Sequence, residues 1–272
     1  MNNNPSLLMA VVAFMAGAIV GSYVNTCVYR IPRGISTVKP RSACPGCGAA
    51  LRPAELIPLI SYAVLRGRCS RCRMRINPRY PLVEFVCGIL WLSLSLRFGL
   101  SFEFICYAVL CSALLAAFFI DIEWMRIPNA LTIFAMIPAL SAYVRYAFFL
   151  SPAARLVSLY ESLGVAEPLL GLIPASLFFA IYLASASMGK GKAAIGMGDV
   201  KLLVPVGLAL GMRQGLFAAF VAVALGGITG IVLLASGIKN RKDPIPFGPF
   251  IVVGTYAAVF IPLSALYGVL SF

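Results

Sequence analysis

The chain reads as an all-α polytopic membrane protein with about eight transmembrane helices and a cytoplasmic, zinc-ribbon-like four-cysteine loop between the first and second. Three observations predict this class. The 272 residues are 61% hydrophobic and 11% charged, with a mean hydropathy of +0.95, more apolar surface than a soluble core of that length needs. The apolar residues fall in runs of about 20, the length at which a helix crosses a ~30 Å hydrocarbon layer. Those runs lack the alternation of barrel strands, and an open sheet would leave unpaired edges in lipid.

In chain order the spans read as 6–29, 81–99, 102–120, 127–149, 166–188, 200–212, 214–238 and 247–270. The sixth is short and flanked by glycine, which suits a broken or tilted helix. Three domains follow: a first transmembrane helix over 1–29, a soluble subdomain over 30–80, and a transmembrane body over 81–272. With eight spans and the N-terminus outside, the cytoplasmic segments 30–80, 121–126, 189–201 and 239–246 hold 18 of the 22 Lys and Arg. Arg97, Arg145, Arg155 and Arg213 fall on the outer side. This is the positive-inside pattern, and it places both termini outside. The opening "MNNNPSLL" carries no Lys or Arg, unlike a cleaved signal peptide. The net charge of +13 is read as the mark of a face against anionic lipid, with no nucleic-acid partner.

The 30–80 segment carries "CPGC" (Cys44, Cys47) and "CSRC" (Cys69, Cys72) with 21 residues between the pairs. Two Cys-x-x-Cys knuckles at that spacing suit a tetrathiolate Zn²⁺ site, and Arg41, Arg66, Arg68, Arg71 and Arg73 would favour thiolates. Disulfides are the rival reading, which a reducing cytoplasm disfavours. Cys27, Cys87, Cys106 and Cys111 lie in apolar spans and read as packing residues.

The chain has no histidine. That excludes Ser-His and Cys-His nucleophiles and histidine metal sites, and it leaves acid/base work to carboxylates, lysines, tyrosines or cysteines. Of nine acidic residues, Asp121, Glu123 and Asp199 stand at span ends on the cytoplasmic side. Asp121 closes the third span and Asp199 opens the sixth, in "GMGDVKLL". If those helices are neighbours, the carboxylates meet at one depth. Gly196 and Gly198 remove side-chain bulk where another backbone would approach. Such a pair can share a proton and activate water. The alternative is that each aspartate is interfacial, solvated or bonded to Lys201 or Arg126. Both readings stand on the residues alone. Asp199, at a helix start, would be the ionised member, and Asp121, at a helix end, the protonated one. Lys201 would steady their charge or snorkel to the interface.

The motifs "GSYVNTCVYRIP", "CPGC", "IPLISYAVLRGRCSRC", "INPRYPLVE", "IDIEWMRIPNALT", "GMGDVKLL" and "PIPFGPF" occur in the order of one family. Nearly end to end, the chain resembles the bifunctional type IV prepilin peptidases, the leader peptidase/N-methyltransferases. The resemblance implies an intramembrane-type aspartic protease with Asp121 and Asp199 as catalytic aspartates. Its implied substrates are prepilins or type II secretion pseudopilins, cut after a glycine at the cytoplasmic face of the bacterial inner membrane. The new N-terminal residue is then methylated from S-adenosylmethionine, an activity associated with the cysteine-bearing loop. The chain departs from the family in reading Glu55-Leu56 before "IPL", Glu123 where many members have aspartate, and Ile127-Pro128-Asn129 for "LPD".

For methylation, Gly67 would allow close approach to a ligand, and Glu84 would bind a cationic amine of substrate or cofactor. Their bland counterparts are a turn glycine and a salt bridge to Arg79. Two other classes remain for the whole chain. A proton-coupled transporter would also bury carboxylates but calls for internal repeats, which are not evident here. A membrane-anchored zinc-ribbon adaptor would leave the aspartates idle.

Overall fold

The computed structural model describes residues 7–145, 167–187, 195–240 and 243–261. Among these residues the regular structure is helical, apart from two isolated β-bridges in the cysteine loop. The chain divides into two compact units, Met1–Ala116 and Ala117–Phe272.

In the first unit, α1 (Leu7–Arg30) packs along α3 (Arg79–Phe98). Small residues allow the approach. A Cβ at Gly17 would fall 2.6 Å from Trp91 Cβ, one at Gly21 would fall 2.8 Å from Glu84 Cα, and one at Gly88 would fall 2.7 Å from the Phe14 ring. This is how helices associate where lipid removes the hydrophobic drive between them. The first part of α4 (Phe102–Trp124) joins them through Trp91 Nε1, which donates to Ser112 Oγ at 3.0 Å. Phe98 stacks on Tyr107 nearby. Between α1 and α3 lie the cysteine loop and the short α2 (Ile60–Val64).

The second unit holds the end of α4, then α5 (Asn129–Val144), the single turn α6 (Glu167–Leu170), α7 (Ile173–Ser187), α8 (Met197–Ala235) and α9 (Gly248–Phe260). α8 is the centre: α5, α6, α7 and α9 all pack on it. Gly207 of α8 meets Gly171 backbone to backbone, and Gly254 of α9 lies against the Ala218 carbonyl. α8 is interrupted at Gly211 (φ 75°, ψ −175°), a conformation essentially confined to glycine. The spans expected over 200–212 and 214–238 thus run on as one element, Met197–Ala235, with a break at Gly211.

Among the described residues, four helical stretches could cross a membrane by length and composition: Leu7–Arg33, Arg79–Phe98, Phe102–Trp124 and Met197–Ala235. Asn129–Val144, Ile173–Ser187 and Gly248–Phe260 are apolar but shorter. Residues 1–6, 146–149, 166, 188 and 262–270 of the expected terminus and spans lie outside the described residues, as do Arg155, Glu161, Lys190, Lys192, Arg241 and Lys242.

Candidate functional site

The two carboxylates singled out by sequence are both buried in the second unit, Asp121 at 5% exposure and Asp199 at 8%, whereas Glu123 is exposed. α4 ends just past Asp121. Met125 takes a left-handed conformation (φ 49°), its N–H bonds to the Asp121 carbonyl, and Pro128 then starts α5. Asp199 sits in the first turn of α8, after an extended Gly196. The two groups are electrostatic neighbours, and Asp199 accepts the backbone N–H of Gly196.

The second unit adds a partner that sequence reasoning did not assign. The Gly248 N–H, at the start of α9, donates to Asp121 Oδ2 at 2.9 Å in a buried setting. Each aspartate is therefore served by a backbone N–H at a helix start. The expected division, with a dipole favouring charge at Asp199 alone, loses its premise. Gly198 is a site of close approach: a Cβ there would fall 3.1 Å from Ile127 Cβ. Lys201 reaches neither carboxylate but donates to Asn129 Oδ1 at 3.0 Å, tying α8 to α5. The one legible signal for Gly248 was "PIPFGPF", a glycine between prolines just before an apolar run.

In the cysteine loop the four thiols converge. The Sγ atoms of Cys44, Cys47, Cys69 and Cys72 all lie within 4.8 Å of one another. Each pair sits in a tight turn closed by an antiparallel bridge, Ala43 to Ala50 and Arg68 to Arg75. A left-handed residue, Gly48 (φ 69°) or Arg73 (φ 60°), follows the second cysteine of each pair. Cys44 Sγ and Cys72 Sγ are 3.7 Å apart, matching the edge of ~3.8 Å for a tetrahedron with Zn–S bonds of ~2.3 Å. All eight cysteines are free of disulfides. The backbone N–H groups of Cys72 and Arg71 aim at Cys69 and push its thiol down to about 6, while burial and the neighbouring thiols push Cys72 up to about 11, so the cluster titrates as a unit. The donor set fits zinc. Glu55 braces the second knuckle: it accepts from the Arg52 N–H and the Ser70 hydroxyl, which hold its carboxyl below the usual range.

Gly67 is a left-handed turn residue (φ 66°) covered by Tyr62, whose Oη would lie 2.9 Å from a Cβ at that position. The two residues line a cavity of about 510 Å³ with Arg66, Arg68, Arg75 and Asn77. Three guanidinium groups suit a carboxylate-bearing ligand. Glu84 is buried beside Gly21, and its partners are the Leu59 N–H at 2.8 Å and Ser22 rather than Arg79. Leu59 holds a positive φ (61°) with the Ile60 N–H bonded to the Pro58 carbonyl, a strained γ-turn that aims its N–H at Glu84. Ser22, Leu59 and Tyr62 were not singled out one by one; their signal was their place in "GSYVNTCVYRIP" and "IPLISYAVLRGRCSRC".

Comparison with known proteins accounts for both units. Residues 15–98 match the family described as the bacterial peptidase A24 N-terminal domain, and residues 108–231 match the type IV leader peptidase family. A "Prepilin leader peptidase/N-methyltransferase" of Bacillus subtilis (strain 168) is 35% identical over 250 residues, 92% of this chain and 93% of the relative. One of the same name from Burkholderia pseudomallei (strain K96243) is 32% identical over 94% of this chain and 86% of its own. Another, from Pseudomonas aeruginosa, is 29% identical over 93% of this chain and 90% of its own. No solved structure matches the chain.

Proposed function

Because the chain belongs to the type IV leader peptidase family, we propose that it removes the leader of prepilins or type II secretion pseudopilins and then N-methylates the new N-terminus. The observation that carries the peptidase is the buried Asp121 and Asp199 as electrostatic neighbours in one unit, each held by a backbone N–H. In this reading they share one proton and hold a water between them. The ionised carboxylate takes a proton from that water as its oxygen attacks the scissile carbonyl. The protonated partner bonds the developing oxyanion, and a proton passes to the leaving amine as the C–N bond breaks. The dyad titrates as a unit. Gly196, Gly198 and Lys201 support the start of α8, by close approach and by the bond to Asn129.

The cut falls after a glycine, at the cytoplasmic face of the bacterial inner membrane. All eight apolar segments cross the bilayer, with both termini outside and residues 30–80 in the cytoplasm; 81–272 form the peptidase domain. Cys44, Cys47, Cys69 and Cys72 hold a structural Zn²⁺, supported by their mutual spacing. S-adenosylmethionine supplies the methyl group. The arginines around Gly67 would take its carboxylate, and Glu84 would hold the amine to be methylated. The basic loop faces anionic lipid and binds no nucleic acid.

The test is mass spectrometry of a purified prepilin incubated with the purified chain and S-adenosylmethionine. Loss of the leader reports the peptidase, and a further gain of about 14 Da on the mature product reports methylation of its terminus. An intact prepilin after prolonged incubation would contradict the reading.

A further inference from the structure

We infer that Gly248 and Ile127 are positioning residues of the peptidase, which together orient the Asp121 carboxyl and set its spacing from Asp199; the inference rests on the dyad proposed above. Neither residue supplies a chemical group to the reaction. Gly248 offers a backbone N–H, and that N–H bonds Asp121 Oδ2 at 2.9 Å inside the protein. A Cβ at position 248 would fall 2.8 Å from Oδ2 and 3.1 Å from Ile127 Cδ1, so the start of α9 approaches Asp121 only because residue 248 has no side chain. The Ile127 side chain then meets a second glycine, Gly198, immediately before Asp199. One apolar side chain thus lies between the two glycines that adjoin the carboxylates, and it acts as a gauge between α8 and α9.

The rest of α9 keeps that gauge from slipping. Gly254 is wedged on the Ala218 carbonyl, and a Cβ at Gly226 would fall 3.0 Å from the Phe247 ring. α9 is therefore fixed along α8 at two further points, and a change at its first residue cannot be absorbed by sliding. The added methyl of Gly248→Ala must push on Asp121 or Ile127 instead. A small displacement of a catalytic carboxyl lowers turnover more than substrate binding, because the lost interaction is made in the transition state.

The experiment is steady-state leader removal by purified Gly248→Ala, Ile127→Ala, the double variant and Asp121→Asn, with thermal unfolding of each. Gly248→Ala should lower kcat at least tenfold with KM within about twofold, the pattern expected when a transition-state interaction alone is lost. The double variant should recover several-fold over Gly248→Ala, since the smaller side chain makes room for the new methyl, although Ile127→Ala alone slows the enzyme. If Gly248→Ala does not accumulate, Ile127→Val, which lacks Cδ1, carries the test with an expected fall of about threefold in kcat alone. Wild-type kcat in Gly248→Ala with an inactive Asp121→Asn overturns the inference and leaves the dyad standing. A loss that follows thermal stability and gains nothing from Ile127→Ala also overturns it. Cleavage by Asp121→Asn would overturn the dyad itself.

Discussion

At the scale of single residues, the glycines of this chain do different physical work, and only some of it could be read beforehand. Gly196 and Gly198 announce themselves by their place beside an aspartate. Gly67 is singled out by its place in "RGRC", with Tyr62 five residues before it, whereas Gly248 is not, because its demand comes from the Asp121 carboxyl, 127 residues away in sequence. For Gly67 the demand is double, since its φ of 66° disfavours any Cβ. Gly67→Val should therefore disturb the arginine-lined cavity through both strain and the Tyr62 contact. We expect it to lose methylation while keeping leader removal, read as mature product without the added methyl mass. Equal loss of both activities would mean that the loop has merely misfolded.

At the scale of elements, the cysteine loop shows how spacing becomes geometry. Two short turns, each closed by one bridge and followed by a left-handed residue, bring four thiols from two sequence pairs to within 4.8 Å. So small a segment lacks an apolar core, and a metal would supply the cohesion. Purified protein should carry about one zinc per chain, and Cys44→Ser/Cys72→Ser should carry none; stoichiometric zinc in that variant would refute the assignment. The pH dependence has a definite sign. Zinc binds thiolates, and among the four Cys69 is held low, at about 6, and Cys72 high, at about 11, so near neutral pH protons already compete for Cys72. As pH falls through about 6, protons compete for Cys69 as well, and zinc affinity should decline more steeply, by one further proton in a competition titration. α8 differs. Its apolar run was legible as the spans 200–212 and 214–238, whose junction lies two residues past the observed break at Gly211.

At the scale of the whole molecule, the all-helical class and the identity of the two buried aspartates were legible, because burying charge in an apolar helix is costly enough to stand out in a sequence. The partners of those charges were not. Asp121 finds its N–H donor 127 residues away, and Lys201, read as a steadying charge, is spent on Asn129. Helix–helix register decides such contacts, and nothing local encodes it. The proposed topology belongs to this scale too. Alkaline phosphatase fused after Gly99 should be active, and the same enzyme inserted after Arg66 should be inactive. The opposite pattern would invert the orientation and put the cysteine loop in an oxidising compartment.

The central claim, that Asp121 and Asp199 act as one catalytic pair, is tested most directly by the mass of a prepilin after incubation with Asp121→Asn or Asp199→Asn protein purified from the membrane. Each variant should leave the leader attached, with cleavage reduced by at least about 10³-fold, as expected for losing a group central to acid–base chemistry. Glu123→Gln, altering an exposed carboxylate two residues on, should release the leader at close to the normal rate. Normal leader removal by either asparagine variant would contradict the account.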